Sequence, residues 1–255
     1  KFFNHGETNA ATINWDTALV LKKLDGTMIQ LYWDWHQEMW CTGTTGTAEG
    51  EGQVNDMIGF TFSDLFWHTL NGQGVGVSAF DKDYTYTFEL TTPYNIVVVP
   101  HGHSRVTLLS VRNNHTLEEL PYNELKDLIP LVDVVDAIPI NQRNYDELLS
   151  SFENMPWTEE GYVVIDHNFN RVKVKNPAYV AVHHLKSKTA EHHIMEIVKS
   201  NEIEEFISTF PVRKEEVETL KANYDQLVNK LENIWLELQP FLPSDSTNRE
   251  EKKAY

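Results

Sequence analysis

Residues 17–29 read TALVLKKLDGTMI: an apolar run, two adjacent lysines, Asp25-Gly26 and a second apolar run. Asp-Gly between such segments is a favoured two-residue turn, so the stretch predicts a hairpin over 18–35. Pairing about that turn puts Lys23 on one face with Leu19, Leu21 and Met28. Lys22 falls on the other, with Val20, Ile29 and Leu31. Both faces are largely apolar, so parity does not choose between the two lysines. Desolvation lowers a lysine's pKa and enlarges its share of free amine, which a nucleophilic lysine requires. A stem lying along apolar surface beside a turn is the plainer reading of either residue.

The rest of the chain sets the scale. Its 255 residues, 41% hydrophobic and 11% aromatic, suffice for one large domain or a medium domain with an appendage. No run approaches the roughly 20 apolar residues of a membrane span. Cys41, the single cysteine, excludes an internal disulfide and suits a reducing intracellular compartment. The chain has no signal peptide and begins with Lys1, which points to a processed or truncated piece. A net charge of −17 argues against a broad electrostatic grip on nucleic acid. Residues 1–183 hold 24 Asp/Glu against 11 Lys/Arg and residues 184–255 hold 14 against 10, so the acidity is not confined to a tail. A polyanion must therefore be met by a local cluster of bases.

Up to residue 183 short strand-like runs alternate with turn residues. Beyond the hairpin, strands are predicted at 84–90, 94–100, 105–112, 160–166 and 171–175, and helices at 57–70, 117–129 and 145–154. Asn144 with Glu147 has the pattern of a capping box for the last. After Pro177 the pattern turns helical, with short helices at 189–199 and 202–208. A long amphipathic helix over 212–238 carries Val217, Leu220, Tyr224, Leu227, Leu231, Ile234, Trp235 and Leu238 at steps of three and four. The expected organisation is an α+β domain over 1–183 and a small all-helical part over 184–255.

Further segments bear on chemistry. In YTYTFEL (84–90) the large apolar residues share one strand face, so Glu89 emerges on the polar one with Thr85 and Thr87. EEGYVVIDHNFNRVKVK (159–175) reads as a hairpin that Glu160 opens, followed by Gly161, where a ligand or backbone could approach closely. On its second strand Arg171, Lys173 and Lys175 share a face, and three like charges there repel unless an anion lies opposite. A solvated edge strand guarded by lysines is the structural alternative. A candidate lysine nucleophile, strand carboxylates and a basic strand together suit phosphoryl or nucleotidyl transfer.

In this order and spacing the segments resemble the lysine nucleotidyltransferases, the superfamily of ATP-dependent ligases and mRNA capping enzymes. Lys23-Leu24-Asp25-Gly26 resembles their Lys-x-Asp-Gly nucleophile motif, Glu89 in TFEL the third motif, Glu160 in EGYVV the fourth, and Lys173 and Lys175 in KVK the fifth. LLSVRN (108–113) is similar to the segment linking the third and fourth. More narrowly, KFFN at 1–4, YVAVHHLK at 179–186 and NEIEEFISTFP at 201–211 resemble the phage-type RNA ligase 1 family.

That resemblance implies a nucleotidyltransferase (ATP-grasp-like) fold of antiparallel sheets flanked by helices, with a small all-helical C-terminal domain. It implies an ATP-dependent RNA ligase that joins 5′-phosphate and 3′-hydroxyl RNA ends, with RNA or tRNA repair as its setting. Lys23 would carry AMP, and Lys173 and Lys175 would assist at the α-phosphate. Lys1, Phe3 (stacked on adenine), Leu21, Asp25, Gly26, Thr45, Glu89 and Glu160 would contribute to the nucleotide site, and Glu89 and Glu160 would hold Mg²⁺ or Mn²⁺. Two departures stand out. The segment that usually precedes the KFFN position is absent, and CTGTTGT (41–47) has Thr45 where the family often has a base before Gly-Ser or Gly-Thr. The other readings of the same motifs are a capping-type guanylyltransferase, a DNA ligase, or an inactive module that binds RNA ends. The expected location is the cytoplasm, including that of a virus's host cell, and a monomer is the expected state.

The remaining features read as structural. His183, His184, His192 and His193 match no zinc spacing, and the His101-Gly102-His103 loop likewise reads as surface or packing. In WDWHQEMW (33–40), Trp33 and Trp35 share the strand face of Ile29 and Leu31 and are expected in the core. The long helix is expected to be packed along its stripe.

Overall fold

The backbone does not turn back at Asp25-Gly26; it leaves one sheet and enters another. The computed structural model describes residues 2–54, 59–138, 145–186, 198–199, 203–209 and 214–239. Strand β1 spans Phe3–Asn4 and β2 spans Leu19–Lys23, while β3 spans Thr27–Asp34 and β4 Met39–Gly43. Strands β5 (Tyr84–Thr91), β6 (Arg105–Asn113), β7 (Asp133–Val134), β8 (Gly161–Ile165) and β9 (Arg171–Lys175) follow. Helices α1 (Phe62–Gly72), α2 (Tyr122–Leu125), α3 (Tyr145–Ser150) and α4 (Pro177–Lys186) complete the first of two units, Lys1–Ser187.

The strands form a four-stranded sheet, β1-β9-β8-β2, and a five-stranded sheet, β4-β3-β5-β6-β7. All neighbours are antiparallel except β1–β9 and β6–β7. This is the expected α+β arrangement. The expected hairpin over 18–35 is overturned: β2 pairs with β8, and β3 pairs with β4 and β5. Gly26 serves the crossing by close approach, since a Cβ there would lie 2.5 Å from the Leu90 carbonyl oxygen.

The larger core lies on the five-stranded sheet. Tyr86, Phe88 and Leu90 alternate inward along β5 and meet Ile29 and Leu31 of β3 and Leu65, Phe66 and Leu70 of α1. Helix α1, expected over 57–70, begins at Phe62, where Thr61 and Asp64 form its capping box. Burying a large apolar side chain of this kind contributes about 1.5–3 kcal/mol. The four-stranded sheet has its own core of Val20, Tyr162, Val164, Val172 and Val174, packed with Leu148 and Phe152.

Other expectations need correction. Residues 94–100 are not a strand; they form a loop whose amides bond to Asp25. The helix expected over 117–129 shrinks to Tyr122–Leu125 between turns, and that over 145–154 becomes α3 followed by a 3₁₀ turn over Ser151–Asn154. Asn144, His192, His193 and most of 189–199 lie outside the described residues, as do the side chain of His184 and all of Lys1. Trp33 is half-buried, but Trp35 lies beyond the end of β3 and is 61% exposed, so it is not core.

The second unit, Lys188–Tyr255, contains α5 (Ile203–Thr209) and α6 (Lys214–Leu238). Val198, Ile203, Phe206 and Val217 form its buried cluster, with Ile207, Leu220 and Tyr224 against it. Among the described residues, packing therefore covers only the first half of the α6 stripe. No helix among the described residues is long and apolar enough to cross a membrane.

Candidate active site

The pairing of β2, β8 and β9 answers which lysine faces where. Lys23 stands opposite Gly161 and Gly161 opposite Lys175; Leu21, Val163 and Lys173 form the next row. Directly opposed residues point to the same side of a sheet. Lys23, Leu21, Lys173 and Lys175 thus share one side, while Lys22 falls on the side of Tyr162 and Val174, at the edge of the apolar core. Gly161 adopts φ +129, and a Cβ there would lie 2.3 Å from the Val174 carbonyl oxygen, so only glycine fits between the two lysine-bearing strands.

Glu160, just before that glycine, is the hub. Its Oε2 lies 2.8 Å from Lys23 Nζ and its Oε1 3.8 Å from Lys175 Nζ, with the carboxylate only 6% exposed. Lys22 makes a looser and more exposed pair, 3.9 Å from Glu159. Lys173 lies with its Nζ 5.9 Å from the ring centre of Phe2. Arg171, first of the basic residues on β9, forms a bidentate pair with Glu119, at 2.7 and 2.5 Å. Arg171 and Lys175 are thus each paired with a carboxylate.

Asp25 is held from several sides. Its Oδ2 accepts from the amides of Val98 at 3.0 Å and Val99 at 2.5 Å, and its Oδ1 accepts from the Tyr179 hydroxyl at 2.6 Å. His101 Nε2 is 2.6 Å from the Asp25 carbonyl oxygen. Burial, reinforced by the Glu160 and Asp25 carboxylates, raises the Tyr179 phenol, which donates as a neutral hydroxyl. These bonds fix the chain immediately after Lys23 and so aim the amine.

Glu89 emerges from β5 on the side opposite Phe88, as the alternation predicted, and pairs in register with Met28 and Thr107. Burial pushes its carboxyl up to about 8; the nearby charge of Lys23 opposes this, and Glu160 and Asp25 add to it. At neutral pH it is therefore largely protonated.

A cleft of about 590 Å³ opens over Lys22, Lys23, Asp25, Glu159 and Glu160, and continues past His101, Arg105 and Asp133. Arg105 and Asp133 form an ion pair within it. Lys175 and Glu89 do not line it but act on Lys23 or Glu160, which do. Not all expected site residues gather there. The β1 register sets Phe3 opposite Val172, on the side away from Lys23, and Thr45 lies exposed in the turn after β4. Leu21 is buried one row from Lys23.

The residues that sequence reasoning missed are Tyr179, His101 and the Val98–Val99 amides. Tyr179 sits in the apolar run PAYVAV, while His101 was expected as surface or packing. Their common partner, Asp25, is remote in sequence from each.

The groups present suit a nucleotide with a divalent cation. Lysines line and back the cleft, and the Glu160 and Asp25 carboxylates add to the burial that raises Glu89. Among the described residues no three metal-ligating side chains gather as a cage. A hard cation here would accordingly be shared with phosphate oxygens, as magnesium commonly is.

Comparison with known proteins gives the family and the fold. A family model described as RNA ligase matches residues 1–179. An RNA ligase of Rhodothermus phage RM378 is 26% identical over 256 residues, covering 84% of this chain and 56% of that protein. Among solved structures, a Naegleria gruberi RNA ligase variant with ATP and Mn aligns with a TM-score of 0.50 at 14% identity, over 66% of this chain and 51% of that one. Another variant of that ligase, with AMP and Mn, aligns with the same TM-score and identity, over 66% and 52%. At that identity the likeness speaks for the fold alone. The chain spans about half the length of these relatives.

Proposed function

Because the chain belongs to the RNA ligase family, we propose that it is the adenylate-transferring part of an ATP-dependent RNA ligase, with Lys23 as the nucleophile. The observation that carries this reading is the 2.8 Å contact of Lys23 Nζ with Glu160 in a cleft backed by Lys175. Such a lysine is held at one point, beside a carboxylate that can receive its proton and an ammonium that can meet phosphate charge.

The chemistry is in-line displacement at phosphorus, so positioning and charge neutralisation dominate it. Lys23 Nζ attacks the α-phosphorus of ATP, the P–O bond to pyrophosphate breaks, and a phosphoramidate bond to AMP forms. The amine's proton passes to Glu160 or solvent. An oxygen of an RNA 5′-phosphate then displaces Lys23 to give a pyrophosphate-linked AMP. A 3′-hydroxyl displaces AMP and seals the strand. Lys175, and Lys173 one row further in, would draw charge from the α-phosphate; Asp25 and Gly26 hold the approach to the nucleophile. Glu160, with Glu89 once ionised, would hold Mg²⁺ or Mn²⁺, which supplies Lewis-acid neutralisation of the phosphate oxygens. The RNA ends, with repair as their setting, belong to the same proposal.

The test is incubation of the chain with α-labelled ATP or GTP and Mg²⁺, followed by mass spectrometry of tryptic peptides. The expected result is AMP on the peptide that contains Lys23, and none from GTP. A GMP adduct, or an adduct at another lysine, would refute the assignment.

A further inference from the structure

The apolar stripe of α6 has a period of alternating three and four residues that continues beyond its partners among the described residues. Val217, Leu220 and Tyr224 face the α5 cluster. The next members of the same seam are solvent-facing: Leu227 is 56% exposed, Leu231 58%, Ile234 42% and Leu238 47%, with Trp235 beside them at 54%. A seam with this spacing is the signature of helix-on-helix packing. It is continuous with an interface already formed, and only its second half lacks a cover among the described residues.

We propose that the second half of α6 is the surface through which two copies of this chain associate, with the helices antiparallel about a two-fold axis. The seam is self-complementary in that orientation. Leu231 falls opposite Ile234 of the second copy and Leu227 opposite its Leu238, each pair occurring twice by symmetry. Positions flanking the seam then meet their like: Lys230 faces Glu237 of the second copy, and Val228 faces its Trp235. Opposite charges and apolar side chains both find their match. A parallel pairing in register would instead set Lys230 beside Trp235 and leave Glu237 without a cation. The overlap begins near Gln226, just past Tyr224, so the second helix does not compete with α5. Covering these side chains removes on the order of 500 Å² per copy, about 1,000 Å² in all, which lies at the lower bound for a specific interface. The association is accordingly weak and concentration-dependent.

Sedimentation of the whole chain, from about 1 to about 100 µM, tests this over the micromolar range that a small interface supports. The expected result is a monomer that converts to a dimer within that range. Leu231→Glu, at a site exposed in the monomer, is expected to weaken association about 100-fold without loss of helical circular dichroism. Lys230→Glu alone sets like charges opposite each other and is expected to weaken it about tenfold, and Lys230→Glu with Glu237→Lys to restore it. A chain that remains monomeric at the highest concentration would overturn the proposal. So would a dimer that ignores Leu231→Glu, or a charge swap no better than the single reversal.

Discussion

On one side of β2, β8 and β9 stand Val20, Tyr162, Val164, Val172 and Val174, all buried with Leu148 and Phe152 behind them. On the other stand Lys23, Lys173 and Lys175, with Glu160 bridging the first and last. The strands and hydrogen bonds are common to both sides. The apolar side can be satisfied by any register that buries valines, and once set, that register decides which lysine faces the carboxylate. Stability resides mainly on the first side and chemistry on the second. A one-residue slip of β2 would put Lys22 where Lys23 now stands.

The largest effect that can break this comparison comes from the charged side. Lys23→Arg keeps a cation for Glu160 but removes the amine, so covalent labelling by ATP should fall by more than about 10³-fold. Melting by circular dichroism should change by no more than about 2 °C, because the ion pair survives. Lys22→Arg should leave labelling within about twofold. Labelling that persisted in the Lys23 variant and vanished in the Lys22 variant would shift the register argument by one residue.

The apolar side should behave in the opposite way. Val164 is fully buried, and Val164→Ala leaves a cavity that costs about 2 kcal/mol, or about 4–8 °C in melting temperature. Well below that melting point, labelling per folded molecule should stay within about threefold. A labelling defect larger than the stability defect explains would mean that the two sides are mechanically coupled, and that the division of labour is wrong.

Alternation made much of this legible in advance. In β5 the inward Tyr86, Phe88 and Leu90 fix Glu89 outward, and in β9 Val172 and Val174 fix the basic residues, so strand and site followed from the same period of two. What misled was Asp25-Gly26, whose dipeptide signals a hairpin turn as strongly as it does any tight turn. Its real requirements are not local: the glycine answers to Leu90, and the aspartate answers to Val98, Val99 and Tyr179, up to 154 positions away. The run at 94–100 has strand-like residues, yet its amides are taken by that carboxylate instead of a ladder. The helical stripe in α6 was readable, but not which half of it would be covered.

The last test extends the comparison to Glu89, which projects from the five-stranded sheet and acts on Lys23 and Glu160 from behind the cleft. Its carboxyl is raised from 4.5 to about 8, chiefly by burial. The folded protein therefore binds its proton more tightly than the unfolded chain does, and the stability this supports is complete below about pH 4.5 and lost as pH rises through about 8. Glu89→Gln mimics the neutral form at every pH. It should melt close to the parent near pH 5 and clearly higher at pH 8.5, a gap that opens across that window. Magnesium with nucleotide should narrow the gap, since added positive charge favours the carboxylate that the glutamine cannot supply. A gap that is flat with pH would mean that Glu89 is already ionised in the folded chain. It would then belong with the charged side of the four-stranded sheet rather than being a group that stays neutral until its ligand arrives.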